Sequence, residues 1–379
     1  MAIRRESRRK FLTETTKKIA TATLFPAFTA QAQLLDDAEE VSFYPTYGFR
    51  EDNNWTVPVR AWVHEPRDVL EAAVVRAVAR TARSFGDVAA DELSNLRSRI
   101  ANFFADSESR ERIEIEFEAD PERERFLIET HAGQALRTDD NGRMEGFIRL
   151  SDRKANELTA RQQATNGWLA YKAVTDEHTG FGRVQLIDRI GRSVVSDVDD
   201  TIKVTEIPAG ARVVVRNTFF RDFVAAPGMQ ERYAGLESAA FHYVSGGPWQ
   251  LFEPLEDFLF PAYPAGSFHM KKIPTNLLSF ESWVDLVEVA GPDATQNHKL
   301  HEIRTLLGHF PERSFILIGD SGEHDPEIYR RVRSEFPQQV EEVVIRDIVG
   351  LRNTNPEQLE GMTVIPAPTV VEGQSALDV

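Results

Sequence analysis

The chain has 379 residues, no cysteine, a formal net charge of −16 and 41% hydrophobic residues. The missing thiols exclude disulfides, thiolate zinc sites and cysteine nucleophiles. The acidic balance argues against a nucleic acid or an anionic membrane held by bulk charge, and the length points to two domains with tails. Residues 1–32 read as a twin-arginine export signal. Arg8 and Arg9 precede Phe11 and Leu12, a weakly apolar stretch broken by Pro26 follows, and Ala30 and Ala32 fit a small-x-small cleavage site. The apolar part is too short to span a bilayer. The mature chain is therefore expected outside the cytoplasm, periplasmic or extracellular, without a transmembrane segment.

Residues 33–185 read as a β-rich accessory domain. "VSFYPTYGF" and "WTVPVRAWVHEP" are strand-like, aromatic and β-branched, with Pro and Asn turn signals. A helical excursion follows: Val74 and Val78, then Leu93, Leu96, Ile100 and Phe103, recur at helical spacing. Strands return in "RIEIEFEA", "ERFLIETH", "MEGFIRL" and "GFGRVQLI". No dense chemical motif appears here, and the expectation is a packing or positioning module.

Residues 186–350 change character. The apolar runs "SVVSD", "FHYVSGG", "SFHMKKI", "SFILIGD" and "VEEVVIRDI" alternate with amphipathic helical segments, of which "NHKLHEIRTLLGHF" precedes the fourth. That alternation predicts an α/β unit with a parallel sheet covered on both faces. Residues 351–379 read as a disordered tail.

Three of the apolar runs end in small or acidic residues: "SDVDDT", "VSGG" and "IGDSGEHD". In a parallel sheet all three ends lie on one edge, where ligands bind, so Asp197, Ser245 and Asp320 are expected to converge. Carboxylates from separate strand ends can share one divalent cation, and an all-oxygen donor set suits magnesium. Within "DVDDT", residues i and i+2 point the same way. Asp197 and Asp199 can then act on one phosphoryl group, one as nucleophile and one as proton donor, with Thr201 donating a hydroxyl. Asp200 points elsewhere. A lysine is needed to offset phosphoryl charge; Lys299, Lys271 and Lys272 compete, and spacing alone does not choose.

Together "DVDDT", Ser245, Lys299 and "GDSGEHD" resemble the four ordered motifs of the haloacid dehalogenase superfamily of phosphatases. More narrowly, "SVVSDVDDTIK", "FHYVSGGPWQLF" and "FILIGDSGEHDPEIY" resemble the catalytic domain of the actin-patch phosphatidate phosphatase family, over roughly residues 180 to 350. The resemblance implies a Rossmann-like, haloacid dehalogenase-like fold. It implies Asp197 as nucleophile and Asp199 as general acid and base. It places Mg2+ on Asp197, the Asp199 backbone carbonyl and Asp320, with Asp325 supporting the metal end. It assigns Ser245 with Gly246 and Lys299 to the phosphoryl group. Two departures, "SGGPW" and "FHMKK", bear on substrate choice. The insertion between Thr201 and Phe241 sits where this superfamily carries a cap, and Phe219, Phe220, Phe223 and Met229 are candidates for touching an acyl chain or for packing on the sheet.

The expected function is Mg-dependent phosphomonoester hydrolysis through an aspartyl-phosphate, with phosphatidate as first substrate. The alternatives are a phosphatase for a soluble or protein-borne phosphomonoester, and a non-catalytic binding module, against which the intact second aspartate argues. "GDSG" also occurs at the nucleophile of trypsin-like proteases, but Glu323 and the strand–helix alternation oppose that reading. His298 and His301 read as a surface face, and His242 as a core histidine. Replacing Arg8 and Arg9 with lysine is expected to retain unprocessed chain in the cytoplasm, read by immunoblotting cell fractions; unchanged export discards the signal assignment.

Overall fold

The computed structural model describes residues 39–65, 72–174, 178–236, 238–272 and 292–378. The expected export signal lies outside the described residues.

The first half builds a ten-stranded, mostly antiparallel sheet. Its strands are β1 (Glu39–Phe43), β2 (Thr46–Glu51), β3 (Asn54–Glu65), β4 (Asp106–Ser107), β5 (Glu114–Phe117), β6 (Arg125–Leu127), β7 (Arg143–Ser151), β8 (Trp168–Ala173), β9 (His178–Thr179) and β10 (Phe181–Leu186). The long β3 is the organiser, pairing with β1, β2, β4 and β7. Its alternate residues Val57, Val59, Ala61 and Val63 enter one core with Ile115, Phe117, Ile148 and Leu150, as a period of two requires. Two helices, α1 (Ala72–Phe85) and α2 (Ala90–Ala101), interrupt the strands, and α3 (Asp152–Arg161) follows β7.

The second half is a six-stranded, wholly parallel sheet in the order β13-β12-β11-β14-β15-β16. The strands are β11 (Gly191–Ser196), β12 (Ala240–Pro248), β13 (Gly266–Lys271), β14 (Arg313–Asp320), β15 (Val340–Asp347) and β16 (Thr363–Pro366). Helices α4 (Ala211–Val215) and α5 (Met229–Ala234) lie between β11 and β12, α6 (Phe252–Leu259) follows β12, and α7 (Pro292–His309) and α8 (Asp325–Glu335) flank β14. Both faces of the sheet are covered, so its strands read as unbroken apolar runs. Val194, Ile316 and Ile318 join one core, while Val195, Phe315 and Leu317 join the core on the other face.

Two expectations change here. The segment after residue 350 is not a disordered tail. It supplies a short helix, Leu351–Thr354, and the edge strand β16, whose Thr363 to Pro366 pair in parallel with Val344 to Asp347. "TVIP" is β-branched but too short to stand out beside three nearby prolines, and it becomes a strand because an open sheet edge is there to receive it. Beyond it, Gly373 N donates to Ala209 O, and the buried Glu206 carboxylate accepts from Ala376 N at 2.8 Å and from Ser375 Oγ.

Secondly, the helical excursion does not pack on the β-rich sheet that precedes it. Val74, Val78 and Phe85 of α1 and Leu96 and Ile100 of α2 share a core with Val215, Phe219 and Phe220 of the insertion after β11. Phe219, Phe220 and Met229 are consequently core residues, buried to 5% exposure or less. They are spent on packing and are not presented to an acyl chain. Hydrophobic surface is also shared between the two sheets. Tyr44 and Trp62 pack with Trp249 and Phe252, and Tyr47 and Phe49 pack with Phe310.

A chain of buried polar groups crosses the same seam. His242 Nδ1 meets Ser267 Oγ at 2.8 Å, Ser267 Oγ meets His269 Nε2 at 2.9 Å, and His269 Nδ1 meets Glu302 Oε2 at 2.7 Å. Glu302 takes both Arg60 Nη2 contacts, at 2.7 and 3.0 Å. Tyr47 Oη bonds His309 Nδ1 at 2.9 Å. His298, expected on a surface, is half-buried, with Nε2 3.3 Å from His269 O. Burial lowers all four histidines, His298 and His309 to about 4, His242 well below its ordinary value, and His269 despite the opposing pull of Glu302. These groups are neutral when folded and take protons when unfolded, so their contribution is present above pH ~6.5 and is lost as pH falls. Each removes up to ~1.4 kcal/mol of stability per pH unit in that window. The thermal midpoint is expected to fall steeply from pH 6.5 to 4.5, and replacing His298 and His309 with glutamine is expected to flatten that slope in scanning calorimetry.

Candidate active site

β11 is the central strand, flanked by β12 and β14, and its carboxyl end carries the densest polar cluster. Asp197 is registered by its N–H, which donates to Ile318 O of β14 at 2.9 Å. Val198 turns into the core, which leaves Asp197 and Asp199 at the rim. The chain then reverses. Asp200 adopts a left-handed φ of 57°, which Asp tolerates better than most residues. Its carboxylate accepts the N–H groups of Thr205, Glu206 and Ile207 at 2.8, 2.6 and 2.6 Å. The expected loop role of Asp200 is thus a specific one: it ties down the turn that carries its neighbours.

Three strand ends and one helix meet here. Lys299, on α7 and 1% exposed, sets its Nζ 2.8 Å from Asp197 Oδ1, 2.7 Å from Asp325 Oδ1 and 2.9 Å from Glu323 Oε2. Of the three candidate lysines, Lys299 is the one in contact with Asp197, while Lys271 Nζ bonds Thr295 Oγ1 at 3.2 Å and Lys272 pairs with Glu145. Asp320, at the end of β14, accepts Gly322 N on Oδ1 at 2.6 Å. Carboxylate oxygens of Asp197, Asp320 and Glu323 all lie within 4.8 Å of one another. Glu323 is the member that sequence reasoning passed over, although it stands in the same "SGEHD" loop. Asp325 takes another part: Oδ1 is held by Lys299 and Oδ2 accepts Asp320 N at 3.3 Å. It fixes the lysine and the loop, and Glu323 completes the acidic cluster.

Asp199 faces a separate set of donors. Its Oδ1 is 2.8 Å from Lys203 Nζ and accepts Thr205 Oγ1 at 2.7 Å, while Oδ2 accepts Ser245 Oγ at 3.2 Å. Ser245 therefore bridges from β12 to the second aspartate, and also accepts Gly247 N at 2.9 Å. At Gly246 a Cβ would stand 2.7 Å from Thr295 Cγ2 of α7, so a side chain there would crowd the rim. Thr201 is fully buried and its Oγ1 has no hydrogen-bond partner among the described residues. Ser321, the nucleophile of the protease alternative, is committed to Asp347 Oδ1 at 2.9 Å and to the N–H of Ile348.

The electrostatics are unbalanced. Four carboxylates, from Asp197, Asp320, Glu323 and Asp325, crowd around a single ammonium. Burial, then the neighbouring carboxylates, pushes Asp197 and Asp320 well above the usual range, and only Lys299 opposes this at Asp197. Burial also pushes Asp199 up, but Lys203 and the hydroxyls of Thr205 and Ser245 together hold it below its ordinary value. Asp197 Oδ1 is ion-paired with Lys299, while Oδ2 of Asp197 and Oδ2 of Asp320 lack hydrogen-bond partners among the described residues. Buried charge of one sign with unpartnered oxygens is costly unless a cation joins it. The donors are carboxylate oxygens without thiolate or imidazole, a set that fits magnesium.

Residues 192–347 match the family model described as the catalytic domain of phosphatidate phosphatase APP1, so this part of the chain is similar to that catalytic domain. Phosphatidate phosphatase APP1 of Saccharomyces cerevisiae is 34% identical over 161 residues, which cover 41% of this chain and 26% of that protein. An uncharacterized protein of Schizosaccharomyces pombe is 30% identical over 174 residues, 45% of this chain and 27% of that protein. The matched part thus spans about a quarter of the length of these relatives. Among solved structures, a family two carbohydrate esterase from Cellvibrio japonicus aligns over 87% of this chain and 90% of its own at 12% identity and a TM-score of 0.21, a likeness that carries no argument.

Glu323→Gln is expected to weaken Mg2+ binding at least tenfold in isothermal titration calorimetry. Affinity equal to the parent's removes Glu323 from the cation site.

Proposed function

We propose that the chain is a magnesium-dependent phosphomonoester hydrolase working through an aspartyl-phosphate, with phosphatidate as the first substrate to test. One observation carries the reading: the fully buried Asp197 at the end of the central strand is ion-paired through Oδ1 with Lys299 and keeps Oδ2 without a hydrogen-bond partner among the described residues, beside two further carboxylates. A carboxylate so placed, with one oxygen oriented by an ammonium and the other unengaged, is suited to attack at phosphorus. The likeness to the phosphatidate phosphatase catalytic domain over residues 192–347 supports the same reading. The haloacid dehalogenase-like assignment is supported by the parallel sheet and by the order in which the four motifs fall on its rim.

In the proposed reaction an Asp197 oxygen bonds to phosphorus as the bond to the leaving oxygen breaks. Asp199 passes its proton to that oxygen. It then takes a proton from the water that hydrolyses the aspartyl-phosphate and so ends the cycle as it began. Lys203 holds Asp199 ionised in the free enzyme; a phosphoryl dianion bound beside it raises its proton affinity, so Asp199 takes up from solvent, as the substrate binds, the proton it passes on. Lys299 sits between Asp197, Glu323 and Asp325 and offsets the charge that spreads over the phosphoryl oxygens. Thr201 Oγ1, unpartnered and buried, is a donor for one of those oxygens. Magnesium, held by Asp197, Asp320 and Glu323 and, as the family resemblance implies, the Asp199 carbonyl, would neutralise phosphoryl charge and so permit the approach of an anionic nucleophile.

A soluble or protein-borne phosphomonoester is the second reading. It is favoured by the burial of Phe219, Phe220 and Met229, which leaves the half-buried Phe223 alone of the four residues proposed for an acyl chain. No helix among the described residues is long and apolar enough to cross a membrane. Purified protein is expected to release phosphate from short-chain phosphatidate with magnesium and to stop on chelation. Asp197→Asn is expected to cost ~10⁴-fold in turnover while melting as a folded protein. Near-normal turnover by that variant removes Asp197 as nucleophile, and faster release from soluble phosphomonoesters selects the second reading.

A further inference from the structure

The acid–base aspartate is gripped by a residue that neither the strand pattern nor the motif spacing singles out. Lys203 is 3% exposed. Its Nζ lies 2.8 Å from Asp199 Oδ1 and donates to Thr205 Oγ1 at 2.5 Å, and Thr205 Oγ1 in turn donates to the same Oδ1 at 2.7 Å. Oδ1 is thus saturated by two donors that also bond each other. Oδ2 receives Ser245 Oγ at 3.2 Å, and a Cβ built on Gly247 would stand 3.8 Å from it, so the absent side chain leaves space on that side.

Lys203 is itself held from outside the motif. Its ammonium sits 4.9 Å from the centre of the Phe223 ring, and the Arg99 guanidinium sits 4.0 Å from the same ring. Arg99 belongs to α2, in the helical excursion of the first half. It is 7% exposed, and its Nη1 donates to Thr218 O and Arg221 O at 2.7 Å each. A planar cation is well suited to bridge two carbonyls and lie on a ring at once. The first half of the chain therefore reaches the second aspartate through three side chains.

We propose that Lys203, braced by Phe223 and Arg99, is a positioning residue that locks Asp199 Oδ1 and reserves Oδ2 as the oxygen that carries the proton to the leaving group. The inference rests on the phosphatase reading. The transfer is balanced: the phosphorus–oxygen bond to the leaving group breaks, its electron pair stays on that oxygen, and the Oδ2 proton joins it. A leaving group that departs as a stable anion needs no such proton. An alkoxide does.

The test compares kcat on 4-nitrophenyl phosphate, a good leaving group, with kcat on short-chain phosphatidate, an alkyl leaving group, using the full chain with magnesium. Lys203→Met is expected to lower the alkyl-to-aryl ratio by ~30-fold or more, a part of the ~10²–10⁴-fold that acid catalysis supplies. Lys203→Arg is expected to restore part of it. Phe223→Leu and Arg99→Lys are expected to shift the ratio the same way by ~3–10-fold, a cost in line with the cation–ring contact each one alters. These two carry the test if circular dichroism shows Lys203→Met to be unfolded. In an Asp199→Asn background, Lys203→Met is expected to add less than about threefold, because coupled residues are not additive. An unchanged ratio, equal losses on both substrates, or full additivity with Asp199→Asn overturns the proposal. Phosphate release from neither substrate by the parent chain overturns the phosphatase reading and this inference with it.

Discussion

The structure turns on a charge imbalance at the end of one strand. Asp197, Asp320, Glu323 and Asp325 converge where, among the described residues, Lys299 is the cation in direct contact with three of them. Nothing in the physics of folding favours such a cluster, since each buried carboxylate loses hydration that a single ammonium cannot replace. Every nearby element serves to hold it. The parallel register brings β11 and β14 to a common edge, α7 delivers the lysine, and Asp325 spends both oxygens on fixing that lysine and the loop. A fold that accepts this cost at one point, with Thr201 Oγ1 also buried and unpartnered beside it, is one in which the cost has a chemical use.

The two halves are more entangled than a catalytic unit with an attached module. Aromatic residues of β2 and β3 and the turn before them complete both cores of the parallel sheet, and α1 and α2 leave their own sheet to cover the insertion. Arg60 sends its guanidinium across the seam to Glu302. Such shared burial fixes the relative placement of the halves, which a polar and transient contact would not do.

How much of this was legible depended on which interactions are local. The parallel sheet could be read because buried strands announce themselves as unbroken β-branched runs, as in "SVVS" and "FILI". The convergence of Asp197, Ser245 and Asp320 followed from topology alone. Lys299 could not be separated from Lys271 and Lys272, because reach depends on a helix whose placement the sequence does not display. Glu323 and Asp325 both reach Lys299, and only the path of the chain into α8 decides that Glu323 also joins Asp197 and Asp320. Lys203 looks like an ordinary solvated turn lysine; its burial needs Phe223 and Arg99, which lie 20 and 104 positions away. The strand at 363–366 was hidden because four residues ending in a proline carry no periodicity, and its pairing exists only once β15 is in place.

The far end of the chain has a temporal consequence. The turn that presents Asp199 runs through Glu206, whose carboxylate is satisfied by Ser375 and Ala376. Those groups leave the ribosome long after the strands they serve, and domains generally fold as they emerge. A nascent polypeptide can therefore assemble most of both sheets while the loop beside the nucleophile still lacks its closing donors, so that the centre is completed only after Ser375 and Ala376 have emerged.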